Sequence, residues 1–291
     1  MSDVPGGPST SAAAAPPLIA DLPITFTPRV AVLDIDGTLI DNDLVLQPRA
    51  RAAVRAATGR VPVILATGRM YSSALPWARE LRVTQPLVCY QGAVVREPGG
   101  GEVLFEEGLS AAVARATIAI ARAHGWHVQA YSDDRLFCEQ DRPEAHLYAR
   151  IAQVPINFVD DLDTLVSKGT TKIVCVSEDP AIVDACVEAM TDGLGQEARV
   201  TRSMEWFVEV ISPRINKARA VELVCARLGL SLGDAVAVGD APNDREMLAA
   251  AGCGVVVRTA RPEVLAVADA RCATPGEAGV ADVLEHFGLS P

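Results

Sequence analysis

VAVLDIDGTLIDND, residues 30–43, is an unbroken apolar run that ends in four aspartates, Asp34, Asp36, Asp41 and Asp43. A continuous rather than alternating apolar run suits a central strand of a parallel sheet, because helices cover both of its faces. Asp34 then stands at the strand's carboxyl end, where open α/β sheets bind their ligands. Two carboxylates two positions apart, followed by Gly37 and Thr38, are aimed at that ligand crevice.

Working outward, Pro48 opens a helical stretch, PRARAAVRAATG, which Gly59 closes, and VPVILATG follows as a second apolar strand. This β-α-β unit places Thr67 beside Asp34. PLVCYQGAVV, 86–95, reads as a third strand, and REPGGGE after it as a turn-rich break. The last third returns to the same style. Helix NKARAVELVCARLG starts at Asn216 as its cap, strand AVAVGD ends at Asp240, helix NDREMLAAAG has Asn243 as its cap, and GVVV and a final helix follow. The alternation predicts an α/β fold with a doubly wound, Rossmann-like parallel-sheet core.

Thr67 to Lys217 spans 150 residues, several times what one crossover needs. Residues 102–205 are therefore expected to form an inserted α+β cap domain, placed as a lid over the crevice. It contains helices LSAAVARATIAIARAHG and DPAIVDACVEAMTDG, the latter begun by Asp179 and Pro180, and strands WHVQAYSD and TKIVCVSE, with WFVEVIS at the far edge. The core occupies 28–101 and 206–291. Residues 1–27 contain no Lys or Arg and break their alanine run with prolines, unlike a secretory signal. They read as a disordered tail.

Bulk composition narrows the function. The formal charge of -11, with no basic stripe, argues against a nucleic-acid partner. No apolar run approaches the roughly 20 residues a bilayer span needs, so a membrane role is not expected. Seven scattered cysteines without a C-x-x-C pair point to free thiols in a reducing, cytoplasmic setting rather than to a zinc site. HGWH at 124–127 reads as a helix end entering a strand, and the histidines receive no catalytic role. Asp41 and Asp43 read as a surface loop, and Trp77, Trp126 and Trp206 as packing residues.

A carboxylate can attack phosphorus and form an aspartyl-phosphate, which splits one hard hydrolysis into two easier steps. Asp34 is placed for that attack, and Asp36 to protonate the leaving alkoxide and later deprotonate water. Gly37 lets backbone amides approach phosphate oxygens, and the Thr67-Gly68 turn offers a hydroxyl and an amide to the same group. Because clustered acids repel a phosphate dianion, cations are required. Asp34, Asp240 and Asp244 form an oxygen-rich site suited to Mg²⁺, and Lys217 supplies a second positive charge.

The same residues carry a family resemblance. D-I-D-G-T at 34–38, A-T-G-R at 66–69, Lys217 and G-D-A-P-N-D-R-E-M-L at 239–248 resemble, in order, the four motifs of haloacid-dehalogenase-superfamily phosphatases. The long gap is similar to that of their Cof-type branch, which has an α/β cap. The resemblance implies Asp34 as nucleophile and Asp36 as acid/base, with Asp34, Asp240 and the Asp36 backbone carbonyl on Mg²⁺. It implies Thr67 and Lys217 on the phosphoryl group, with Gly37, Gly68 and Asn243 among the phosphate-binding positions, and Asp244 orienting the ligands. Two departures are Gln91-Gly92 where the branch usually has Asn-Gly, and Asn216 in place of serine before Lys217. The expected activity is hydrolysis of a small phosphorylated metabolite such as a sugar phosphate. A phosphomutase or phosphotransferase, or a non-catalytic phosphate sensor, is the alternative on the same scaffold.

Overall fold

A computed structural model describes residues 15–291. Its centre is a parallel sheet in the order Ala270–Cys272, Cys253–Val257, Ala235–Gly239, Val30–Leu33, Val63–Leu65. Leu87–Cys89 continues beside the last of these through a parallel bridge between Ala66 and Val88. Strand order reverses between Val30–Leu33 and Ala235–Gly239, and the carboxyl ends of these two neighbours open the crevice expected at such a switch point.

The apolar run at 30–33 has a double use. Ala31 and Leu33 pack with Val54, Ala57, Val280 and Val283 on one face, and Val30 and Val32 with Val221, Val224, Met247 and Leu248 on the other. Helices Pro48–Ala57 and Gly279–His286 thus cover one side, Lys217–Arg227 and Arg245–Ala250 the other. Asn216 caps its helix by accepting from the Arg219 amide at 2.8 Å. Helix Tyr71–Leu81 is not legible in the apolar pattern; Pro76 inside it removes a backbone donor and weakens the local signal.

The stretch 86–95 is two strands rather than one. Leu87–Cys89 and Val94–Arg96 pair antiparallel, joined by a turn in which Tyr90, Gln91 and Gly92 all have positive φ. Such geometry disfavours residues with a Cβ, so it must be held by contacts. Here Tyr90 donates from its hydroxyl to Asp134 at 2.8 Å, and the Gln91 amide is bonded on both sides.

The insert is built on a six-stranded sheet ordered Arg199–Met204, Phe207–Ile211, Lys172–Val176, His127–Ser132, Arg135–Cys138, Ile156–Phe158. Both expected boundaries move. Val103–Glu106 pairs with Val94–Arg96 of the core ribbon, and Phe207–Ile211 lies inside the cap sheet rather than at its edge or in the core. A break at 205 would cut a hairpin. The outer face of this sheet packs on helices Ala111–Ala123 and Pro180–Leu194, whereas Tyr131, Val174, Val176, Phe207 and Ile211 turn inward and merge with the core's apolar cluster. Strand periodicity then puts Lys172 and Glu209 on the inward face as well.

The two chain crossings between core and cap meet at Glu107, which accepts from the Ser212 hydroxyl at 2.5 Å and from Arg214 Nε at 2.7 Å. A second tie is Asp134, at the tip of a cap hairpin, whose carboxylate also accepts from the Ser72 amide at the start of the core helix. The tail expectation is corrected for residues 15–27: the Arg271 amide donates to the Pro17 carbonyl at 2.8 Å, Ile19 is buried, and Phe26 packs edge-on against Phe287. Residues 1–14 of that expected tail lie outside the described residues. All seven cysteines are buried and free, and the HGWH stretch links a helix ending at Ala123 to a strand beginning at His127.

Lys172 and Glu209, each 1% exposed, form an ion pair at 2.7 Å. Removing one partner leaves an uncompensated buried charge, a loss on the order of 3–5 kcal/mol. Lys172→Met or Glu209→Leu should each lower stability by about that much in urea unfolding, and the double variant by less than the sum. Single losses below about 1 kcal/mol would show that water reaches the pair.

Candidate active site

Asp34 leaves the end of Val30–Leu33 and Asp240 the end of the adjacent Ala235–Gly239, so parallel pairing brings the two carboxylates together. Asp244 joins them from the following turn. One carboxylate oxygen from each of Asp34, Asp240 and Asp244 lies within 4.8 Å of the others. Lys217, at the first position of its helix, donates to Asp34 Oδ1 at 2.5 Å and to Asp244 Oδ1 at 2.7 Å while only 1% exposed. One ammonium against three carboxylates leaves the site short of positive charge.

The titration of the groups expresses that shortage. Burial pushes the Asp34 carboxyl up to about 7, with Lys217 opposing and Asp244 and Asp36 adding. Desolvation, then Asp34 and Asp244, raise Asp240 well above the ordinary carboxylate range. Burial works against the charge on Lys217, but Asp244 and Asp34 outweigh it and hold the ammonium above its usual value.

The oxygens divide between bracing and free roles. Asp244 uses Oδ1 for Lys217 and Oδ2 for the amides of Asp240 and Ala241, both at 3.1 Å. The helix cap expected of Asn243 is not made: its side chain turns to Gln91, and Asp244, which flanks the helix start, bonds backward to the turn instead. Asp240 accepts from the Thr38 hydroxyl through Oδ1 at 3.0 Å, which leaves its Oδ2. The Asp36 carbonyl accepts no hydrogen bond among the described residues. These remaining oxygens, with that of Asp34, form a hard, anionic donor set of the kind that holds Mg²⁺ with several waters. Gly37 sits over it at φ +77°, and a Cβ there would come within 2.4 Å of Asp240 Oδ2. Only glycine fits.

The second aspartate is held from the opposite side. Arg69 grips Asp36 in a two-bonded fork, Nε to Oδ2 at 2.8 Å and Nη2 to Oδ1 at 2.6 Å, and bonds Ser73 with its remaining arm. This partner was not singled out in the sequence; its position two residues after Thr67 was the available signal. Thr67 is wholly buried, and its hydroxyl accepts from the Arg69 amide at 3.1 Å, so it shapes the turn that presents Gly68.

Above this floor runs a polar track into the cap. Asn243 Nδ2 donates to Gln91 Oε1 at 2.7 Å, Gln91 Nε2 donates to Glu209 at 3.0 Å, and Lys172 joins Glu209 to the Gly68 carbonyl at 2.9 Å. Asn243 Oδ1 is buried without a partner among the described residues. Asp34, Asp36, Gly68, Asn243, Tyr148 and Glu209 line a small space here of about 30 Å³. A larger cavity of about 340 Å³ adjoins it, reaching from Asp36, Gly37 and Asp240 to Trp206 of the cap. Asp41 lines that cavity too, with its Oδ1 accepting from the amides of Asp43 and Val45. Trp206 is thus a cavity wall as well as a packing residue.

Comparison with known proteins follows the same lines. The profile of the haloacid dehalogenase-like hydrolases matches residues 31–284. A protein of Cronobacter sakazakii named HMP-PP phosphatase is 31% identical over 247 residues, covering 82% of this chain and 87% of its own. Among solved structures, TM0651 of Thermotoga maritima is 30% identical with a TM-score of 0.75, covering 89% of this chain and 97% of its own. A haloacid dehalogenase-like hydrolase of Bacteroides thetaiotaomicron reaches a TM-score of 0.79 at 25% identity, over 89% of this chain and 99% of its own. With four motifs converging on one crevice and a family profile spanning core and cap, this chain belongs to the haloacid dehalogenase-like hydrolases.

Proposed function

We propose that the chain is a Mg²⁺-dependent phosphatase that hydrolyses a small phosphomonoester through an aspartyl-phosphate on Asp34. The observation that carries this reading is the buried Asp34 carboxylate, held by Lys217, at the floor of the crevice with Asp36 two residues on. The name of the Cronobacter relative supports it. The net charge of -11 weighs against a nucleic-acid partner, and no helix among the described residues is long and apolar enough to cross a membrane. Buried free thiols fit a cytoplasmic setting.

In this reading an Asp34 oxygen attacks phosphorus while the bond to the leaving oxygen breaks, and Asp36 gives its proton to the departing alkoxide. Water then attacks the same phosphorus and passes a proton to Asp36. The Asp34–phosphorus bond breaks and inorganic phosphate leaves. Lys217 fixes the direction of Asp34 and offsets phosphate charge, and Gly68 and the Asn243 side chain border the space the phosphoryl group enters. Asp36 must release at least one arm of the Arg69 fork to reach the leaving oxygen. Mg²⁺, held by Asp34, Asp240 and the Asp36 carbonyl, would supply charge neutralisation of the transferring oxygens.

Phosphate release from a panel of sugar phosphates, nucleotides, flavin mononucleotide, pyridoxal phosphate and an aryl phosphate tests the proposal. Asp34→Asn should abolish release with the fold intact, and Asp36→Asn should lower kcat by roughly 10²–10⁴-fold. Near-normal turnover by Asp34→Asn would rule out the covalent route, and an isomerised product without free phosphate would identify a mutase.

The metal site has its own test. The Asp34 carboxyl is raised from 3.8 to about 7 in the metal-free fold, so its contribution to stability is complete below the lower value and is lost as pH rises through the upper one. Mg²⁺ offsets that repulsion and needs deprotonated ligands. Thermal unfolding should therefore show a larger Mg²⁺-induced rise in Tm at pH 8 than at pH 6, and an equal rise at both would place the ion elsewhere.

A further inference from the structure

The outer cavity ends in two guanidinium groups that the chemistry at Asp34 does not use. Arg202 comes from the cap hairpin formed by Arg199–Met204 and Phe207–Ile211, and Arg261 from the core loop after Cys253–Val257. Both line the cavity, one from the cap and one from the core. Other arginines near the crevice are matched one to one: Arg69 with Asp36, Arg199 with Glu246, Arg258 with Glu277. Arg202 and Arg261 have between them only Asp184, which pairs with Arg202 through one nitrogen and is 73% exposed. Arg261 has no carboxylate within ion-pair distance among the described residues, though its charge reaches Asp184.

Four acids, Asp36, Asp41, Glu205 and Asp240, line the same cavity, and none is within ion-pair distance of Arg202 or Arg261. Asp36 is held by Arg69, Asp240 belongs to the carboxylate cluster, and Asp41 is bonded to the amides of its own loop. Glu205 is exposed at the hairpin tip. Two guanidinium groups therefore face a volume of about 340 Å³, suited to a small molecule, with no lining acid bonded to either of them among the described residues. Guanidinium groups with open donors favour planar, paired recognition of carboxylate or phosphate.

Building on the phosphatase reading, we propose that Arg202 and Arg261 form a substrate subsite for a second anionic group, so that the preferred substrate is a phosphomonoester whose leaving group carries another phosphate or a carboxylate. Trp206 supplies the apolar wall along the carbon skeleton between the two ends. The hairpin bearing Arg202 belongs to the cap and the loop bearing Arg261 to the core, so the second anion also draws the two bodies together.

Glucose 1,6-bisphosphate, 6-phosphogluconate and glucose 6-phosphate share six carbons and a C6 phosphate; the first adds a C1 phosphate to the ring of the third, and the second is the open-chain C1 carboxylate. The wild-type enzyme should favour the first or second over the third in kcat/KM, and the choice between them identifies the anion. Arg202→Ala and Arg261→Ala should each reduce that preference by roughly tenfold or more, mainly through KM, as expected for loss of a charge-assisted hydrogen bond. Arg202→Lys should restore part of it, and Arg258→Ala, outside the cavity, should leave it intact. Equilibrium binding of the same three compounds to Asp34→Asn protein gives a readout independent of turnover. A preference there that depends on Arg202, without phosphate release by wild type, would sustain the subsite and overturn the phosphatase. Equal kcat/KM and equal binding for all three compounds, or a preference indifferent to both arginine variants, would overturn the subsite.

Discussion

The buried ammonium of Lys217, bonded at once to Asp34 and Asp244, is the contact on which the crevice depends. Asp244 in turn braces the amides of Asp240 and Ala241, so a single cation fixes the strand ends on both sides of the switch point. Repulsion among the three acids is only partly relieved, and the raised Asp34 and Asp240 carboxyls record the remainder. The parallel sheet supplies the positions, and the lysine makes them tolerable together. Such stored electrostatic demand is what a cationic cofactor and a correctly placed phosphate can satisfy at the same time.

The cap takes part in the site through the polar face of its sheet. Lys172 and Glu209 occupy positions that strand periodicity would give to apolar residues, alongside Val174 and Val176 on one strand and Phe207 and Ile211 on the other. Their partners are the Gly68 carbonyl and Gln91, both from turns at the ends of core strands. Geometry at the phosphate turn is thus tied to the seating of the cap. The Gln91 side chain spans from Asn243 to Glu209.

Much of the core was legible because a buried parallel strand requires a continuous apolar run and a carboxylate at its end is conspicuous. VAVL, VIL and AVAV announced three neighbours in one sheet, and Asp34, Thr67 and Asp240 were located by the same signal. The cap boundaries were less visible, since Phe207–Ile211 has the composition of a core strand and only its antiparallel partners at 172–176 and 199–204 assign it. The reversal at Tyr90–Gly92 escaped notice because two of its three positive-φ residues are not glycine. Arg69 closes the A-T-G-R stretch but its grip on Asp36, like the pairing of Arg202 with Asp184, is decided by which acid each meets across the fold.

Glu107 ties together the two places where the chain enters and leaves the cap. Entry and exit are remote in sequence but form one junction in space, so a change at Glu107 touches both crossings at once. The strand Phe207–Ile211 runs straight into that junction, whereas Ile156–Phe158 lies at the opposite edge of the cap sheet. Asp134 supplies a separate anchor through Ser72 and Tyr90, so the seam between the two bodies rests on two unlike supports, one at the chain crossings and one at a hairpin tip.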